Sequence, residues 1–297
     1  MAVPIHNGSL GGNEYVAGLD GLHQAFSLAL GRPVYAPIDI STSGLKILDS
    51  GCNTGTHIPS SSVIKEKQRS QSTSAGRWLF DLASTCSPSN HEYVGTDVWT
   101  EVFPGNPPPN FQFHEQDICK PWPESWYGTF DLVHQRTVLV NARKIPIKCL
   151  IAQMVELLKP GGWIQLMEGD FTPVQQNGPA MREFLELGKW FFDEAGPGSD
   201  MGPRLESELS SIGLKSVQEA TVMVGTGAVL KEKSQIPEIV DGSIEGLCAA
   251  IPGSLINLRG TSNVTSPQIG PLKAETRFRY GPPILVRTVE YLGRAPT

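Results

Sequence analysis

The sequence predicts an α/β domain built on a mostly parallel sheet, and three observations predict it. Short apolar runs that close on Gly or Asp recur along the first half of the chain. Stretches with apolar residues at helical spacing lie between and after them. A glycine-containing turn comes directly after the first run, as in the strand-turn-helix units of parallel sheets.

Leu19 to Leu30 carries apolar residues at helical spacing and ends at Gly31, a helix stop; residues 1–44 therefore read as an N-terminal helical cap. Leu45–Gly51 (LKILDSG) is a short apolar run ending on Gly, the pattern of a buried parallel strand. HEYVGTD at 91–97, NFQFHEQD at 110–117 and TFDLVHQ at 129–135 give three more strands. A helix is predicted over Ile147–Leu158, stopped by Lys159-Pro160-Gly161-Gly162, with a fifth strand at Trp163–Asp170. Residues 174–210 read as helical. Further strands are predicted at 216–224 and at 282–293, with a Gly/Pro/Ser-textured segment, 225–280, between them. Residues 1–44 thus cap one domain, 45–297, within which 174–210 and 225–280 read as further cap segments.

Composition narrows the function. The 297 residues include 24 Lys+Arg and 30 Asp+Glu, a net charge of -6, which lacks the basic surplus of a phosphate-tracking nucleic-acid binder. No run of eighteen apolar residues suggests a membrane span. The N-terminus has neither a basic start nor an apolar core, so no secretory signal is expected. Five cysteines without C-x-x-C spacing fit reduced thiols in the cytoplasm and point to no metal site. Oligomeric state is not readable.

The chemistry concentrates at predicted strand ends. Asp49, Gly51, Asn53 and Gly55 lie in the turn after strand one (LDSGCNTG). Gly55 and Gly51 leave room for backbone to approach a nucleotide-like ligand, and Asn53 tolerates left-handed backbone. Asp97 closes strand two, where a carboxylate can accept both hydroxyls of a ribose. Asp117 comes after strand three, where it can accept from an adenine amine while the backbone of Ile118 meets the ring edge. Each acid alone is equally well a turn cap; the ordered set describes a nucleoside site on the carboxyl edge of a parallel sheet. His134 closes strand four and is the candidate general base, with cofactor orientation or a backbone hydrogen bond as the alternative. Arg136 pairs with Glu168 or binds an acidic group. Glu168 and Asp170 end strand five. Trp190, Phe191 and Phe192 line either a flat pocket or the core. His23 reads as a solvent-facing helix residue, with a place above the active site as the alternative.

In their order, LDSGCNTG, YVGTD, EQDI, FDLVHQR and LLKPGGWIQLMEGD resemble the class I S-adenosylmethionine-dependent methyltransferases over roughly 44–170. FDLVHQRTVL, LKPGGWIQLMEGD and LDGLHQAF are most similar to fungal secondary-metabolism methyltransferases related to the velvet-complex regulator. The resemblance implies a Rossmann-like, seven-stranded, mostly parallel sheet with the last strand antiparallel. It implies S-adenosyl-L-methionine as cofactor, with Asp49, Gly51, Asn53 and Gly55 around the methionine moiety. Asp97 would hold the ribose, Val98 and Trp99 would flank the adenine, and Asp117 would read its amine. Asn53 departs from the family's usual glycine. The implied reaction is methyl transfer to a small molecule, O-methylation if His134 is the base. Rival readings are a methyltransferase-like pericyclase or dehydratase using the sulfonium as a fixed charge, and a regulatory partner protein.

One stretch does not fit. Thr56–Gly76 is Ser-rich and polar where the family runs straight into a helix. Removing it would join LDSGCNTG to RWLFDLAST, with Trp78, Leu79, Leu82 and Ala83 on one helical face. A retained intron and a surface loop both explain it.

Overall fold

A computed structural model describes residues 23–24, 26–52, 75–86, 90–100, 103–142, 145–170, 185–186, 189, 192–193, 198–226 and 284–296. Seven strands form one sheet: β1 Lys46–Ser50, β2 Glu92–Asp97, β3 Phe111–Glu115, β4 Phe130–Arg136, β5 Leu158–Asp170, β6 Lys215–Thr226 and β7 Ile284–Arg294. Their order is β3-β2-β1-β4-β5-β7-β6. Strands β1 to β5 pair in parallel, and β7 runs antiparallel to both β5 and β6. The expected fold class is therefore the one observed. The order reverses beside β1, and that switch point opens a crevice at the strands' carboxyl ends.

Side-chain alternation explains how the sheet takes helices on both faces. Leu48, Val94, Val133, Ile164 and Leu166 point to one side. There they meet Ile147, Leu150, Ile151 and Met154 of α2 (Ile147–Glu156) and Met201, Leu205 and Leu209 of α3 (Met201–Ser211). Ile47, Tyr93, Leu132 and Trp163 point to the other. They meet Trp78, Leu79 and Leu82 of α1 (Arg77–Thr85), with Val34 and Ala36 of the N-terminal segment. Each fully buried Leu or Ile contributes about 1.5–3 kcal/mol of burial free energy.

Two boundaries differ from expectation. Helix α2 ends at Glu156, and β5 begins at Leu158 rather than Trp163. Leu158 pairs with Phe130, and the register then shifts so that Trp163 pairs with Leu132. The Lys159-Pro160-Gly161-Gly162 stretch, read as a stop, is an irregular strand entry, with Gly161 at φ 80° and the Gly162 carbonyl accepting from the Ala295 amide.

The N-terminal segment is helical at 26–30 and stops at Gly31, which has φ 71° and donates to the Ser27 carbonyl. Gln165 of β5 anchors the residues just beyond: its Oε1 accepts from the amides of Tyr35 and Ala36, and its Nε2 donates to the Pro33 carbonyl. Residues 1–22, 56–74, 174–184 and 227–283 lie outside the described residues, and with them most of the expected caps and insertion. Among the described residues no helix is long and apolar enough to cross a membrane.

Candidate active site

The crevice is floored by β1 and β4. Asp49 and His134 are register partners on these adjacent strands, on the same face of the sheet. His134 Nδ1 donates to Asp49 Oδ1 across 2.8 Å. Both side chains are buried, and the imidazole lies flat on Trp78, with centroids 3.8 Å apart and planes 4° apart. Trp78 is itself held by a bond from Nε1 to the Pro33 carbonyl. Burial pushes the His134 imidazole below its ordinary value, opposed by the Asp49 carboxylate. The neutral ring donates from Nδ1 and keeps its lone pair on Nε2, the electronic form a base needs. Only 1% of the residue is exposed, however, so little of that ring faces the crevice.

Above the floor the chain turns at Gly51, in left-handed backbone with φ 72°. A Cβ there would lie 2.4 Å from Val138 Cγ2, so only glycine permits this approach. The amides of Gly51 and Cys52 both donate to the Thr96 carbonyl, tying the turn to the end of β2. Asn53 and Gly55, the other two loop residues expected to line the cofactor, lie outside the described residues.

The chain is next described at Ala75, beside the place it left. The Gly76 amide donates to the Cys52 carbonyl at 2.8 Å. Gly76 has φ 75° and is the N-cap of α1; a Cβ on it would meet the Phe113 ring at 2.7 Å. The two sides of the atypical stretch are thus hydrogen-bonded neighbours. Gly76 escaped the sequence reading because it was counted as the last residue of the insertion; its place directly before the apolar face of α1 was the signal.

The acids expected at the tips of β2 and β3 come together on one edge. These strands pair in parallel, with Asp97 opposite Glu115. Asp97 Oδ1 accepts from the Trp99 amide, and Asp117 Oδ1 accepts from the Cys119 amide, so each carboxylate closes its own turn. Val98 is 43% exposed beside Asp97, whereas Ile118 is buried.

Two expectations are corrected. His23 is 3% exposed rather than solvent-facing. Its Nδ1 accepts from Arg136 Nη2 at 2.7 Å, so the ring proton sits on Nε2, which donates to Asp81 Oδ2 at 2.7 Å. Arg136 accordingly joins His23 and lies over the Phe26 ring instead of pairing with Glu168. Glu168 turns to the opposite face, where Oε1 accepts from the amides of Val138 and Leu139. Burial pushes its carboxyl up to about 8. Of the expected aromatic wall, Trp190 and Phe191 lie outside the described residues. Among the described residues no cluster of His, Cys, Asp and Glu could hold a metal.

The residues fit a nucleoside cofactor. Gly51 lets the turn at the end of β1 pack closely against Val138, and two carboxylates stand on the neighbouring strand tips.

No family model matches the chain. A curated relative, the methyltransferase psoC of Aspergillus fumigatus, is 35% identical over 83% of this chain and 81% of its own. The N-methyltransferase tcpN of Claviceps purpurea is 31% identical over 70% of this chain and 68% of its own. The N-methyltransferase gliN of Aspergillus fumigatus is 32% identical over 69% and 67%. Among solved structures, a Haemonchus contortus phosphoethanolamine N-methyltransferase with S-adenosylhomocysteine superposes with a TM-score of 0.52 at 12% identity, covering 95% of this chain and 58% of that one. A Haloferax volcanii methyltransferase complex with the Trm112 activator gives a TM-score of 0.53 at 13% identity, covering 96% of each chain. The likeness to the solved structures establishes the fold, and the relatives establish the family: this chain belongs to the class I S-adenosylmethionine-dependent methyltransferases, with these fungal enzymes as relatives.

Proposed function

We propose that the chain transfers a methyl group from S-adenosyl-L-methionine to a nitrogen of a small molecule in fungal secondary metabolism. The observation that carries the reading is the carboxyl edge of the sheet, where Gly51, Asp97 and Asp117 stand on three consecutive strand ends. The cofactor supplies a methyl on sulfonium that is open to in-line displacement. Asp97 holds the ribose diol, Val98 and Trp99 flank the base, and Asp117 with Ile118 reads its polar edge. Gly51 lets the methionine moiety approach the backbone, and Asp49, fixed by His134, sets the charge beneath it.

Two observations favour nitrogen over the oxygen acceptor expected from the sequence. Relatives covering about two thirds of the chain carry the name N-methyltransferase. The oxygen reading relied on His134 as a base, and that ring is packed between Trp78 and Asp49. A hydroxyl needs a proton acceptor before it attacks, whereas a neutral amine already presents a lone pair and sheds its proton afterwards. His134 is on this reading a positioning residue.

The test is incubation with methyl-labelled cofactor and host extract, then mass and NMR assignment of the labelled product. Label on nitrogen supports the proposal, and label on oxygen, sulfur or carbon overturns the acceptor assignment. A product of unchanged mass, or one that has lost water, with the cofactor intact would point to the sulfonium-assisted pericyclase or dehydratase instead.

A further inference from the structure

The turn after β4 has an uncommon construction. The last β4–β5 register pair is Arg136 with Met167. Thr137 then adopts φ 54°, a costly left-handed conformation for a β-branched residue, with its amide donating to the Met167 carbonyl at 2.8 Å. The next two amides, of Val138 and Leu139, converge on one atom, Glu168 Oε1, at 3.1 and 2.9 Å. Leu139 opens a 3-10 helix, Leu139–Ala142, and is fully buried. Glu168 is 2% exposed. Without it, two amides inside the fold would lose their shared acceptor. The turn matters to the site because its Val138 side chain is the wall against which Gly51 packs.

We propose that Glu168 is a positioning residue for methyl transfer: its carboxyl oxygen pins the Thr137–Leu139 corner and, through Val138, holds the glycine turn at Gly51 in its cofactor-binding shape. The inference rests on the methyltransferase reading above. A carbonyl-type oxygen can accept from both amides, so a neutral acid or an amide can serve, although the two bonds themselves favour the carboxylate. Burial outweighs them and favours the neutral acid. The folded-state pKa of about 8 lies above the ordinary 4.5, so the stability Glu168 contributes is fully present below pH 4.5 and is lost as pH rises through about 8.

The experiment compares Glu168→Gln, Glu168→Ala and Val138→Ala with the wild type in four measurements: S-adenosylhomocysteine affinity, the split between cofactor KM and kcat, unfolding between pH 5 and 9, and amide exchange at Val138 and Leu139. Glu168→Gln is expected to keep affinity and kcat near wild type, protect both amides, and lose the alkaline decline in stability. Glu168→Ala is expected to weaken cofactor binding by about tenfold or more and raise KM, with kcat at saturation changing much less. Val138→Ala weakens binding in the same direction while leaving both amides protected, and it decides the matter should Glu168→Ala not fold. A collapse of kcat in Glu168→Gln at unchanged KM would make Glu168 a proton-transfer group and overturn the proposal. Unchanged affinity in both alanine variants would overturn it too. A wild type that ignores S-adenosylhomocysteine would instead defeat the methyltransferase reading itself.

Discussion

The acids of this sheet edge come in two kinds. At the tips of β2 and β3, Asp97 and Asp117 stay half-buried, and each accepts from an amide two residues ahead, closing a turn that their own segment encodes. At the tips of β1 and β4, Asp49 is buried, and its partner His134 lies 85 residues away. Both kinds belong to one crevice. On the proposed reading the first meets the cofactor and the second holds the floor beneath it. The difference is one of solvent: a carboxylate near water needs only a local donor, whereas a buried one needs a dedicated partner that the fold must deliver.

Removing His134 should break the floor hardest. His134→Ala deletes a buried ring stacked on Trp78 and strands the Asp49 carboxylate, and is expected to cost about 3–5 kcal/mol in denaturant unfolding. A cost near zero would mean the pair does not hold the floor together. At the rim the balance inverts. Asp97→Ala should weaken cofactor binding by about tenfold or more while lowering stability by only about 1 kcal/mol, the scale of one turn hydrogen bond. Equal losses of stability and affinity would erase the distinction between floor and rim.

Acid sharpens the same comparison. The folded-state pKa of His134 lies below its ordinary 6.5, so the unfolded chain takes up that proton first. The stability the neutral ring contributes is present above pH 6.5 and lost as pH falls through the lower, folded-state value. His134→Phe should flatten this acid limb by one proton. An unchanged limb would assign the titration to His23, whose pKa burial also lowers.

A further effect concerns the neck between floor and rim. Cys52 and Gly76 already share a backbone hydrogen bond. Deleting Thr56–Gly76 puts Gly55 in the place of Gly76, three residues after Cys52, which is the spacing of a β-turn bond. The shortened protein is expected to fold with stability raised by about 1–2 kcal/mol from the smaller loop. Collapse of the fold on deletion would show that the stretch is structural.

Much of the floor and rim was legible because strand alternation and turn chemistry are local. Tyr93, Val94 and Gly95 announce a buried strand, and Asp97 after it announces a turn. The path of Arg136 was not legible. Its spacing allowed Glu168 as a partner, yet β-strand alternation sends the two side chains to opposite faces, and the N-terminal His23 meets Arg136 instead. His23 itself looked exposed because a single polar residue on a short helix carries no mark of what will cover it.

By itself the sequence determined the fold class, the succession of strands along the chain and the set of acids at their ends, since these arise from residue periodicity and turn residues within short windows. Only the tertiary structure decided which polar groups meet: Asp49 with His134, Gly76 with Cys52, and Glu168 with the amides of Val138 and Leu139. Those pairings span 24 to 85 residues and exist because strand order brings distant segments side by side, where a buried polar group must find its partner or destabilise the fold.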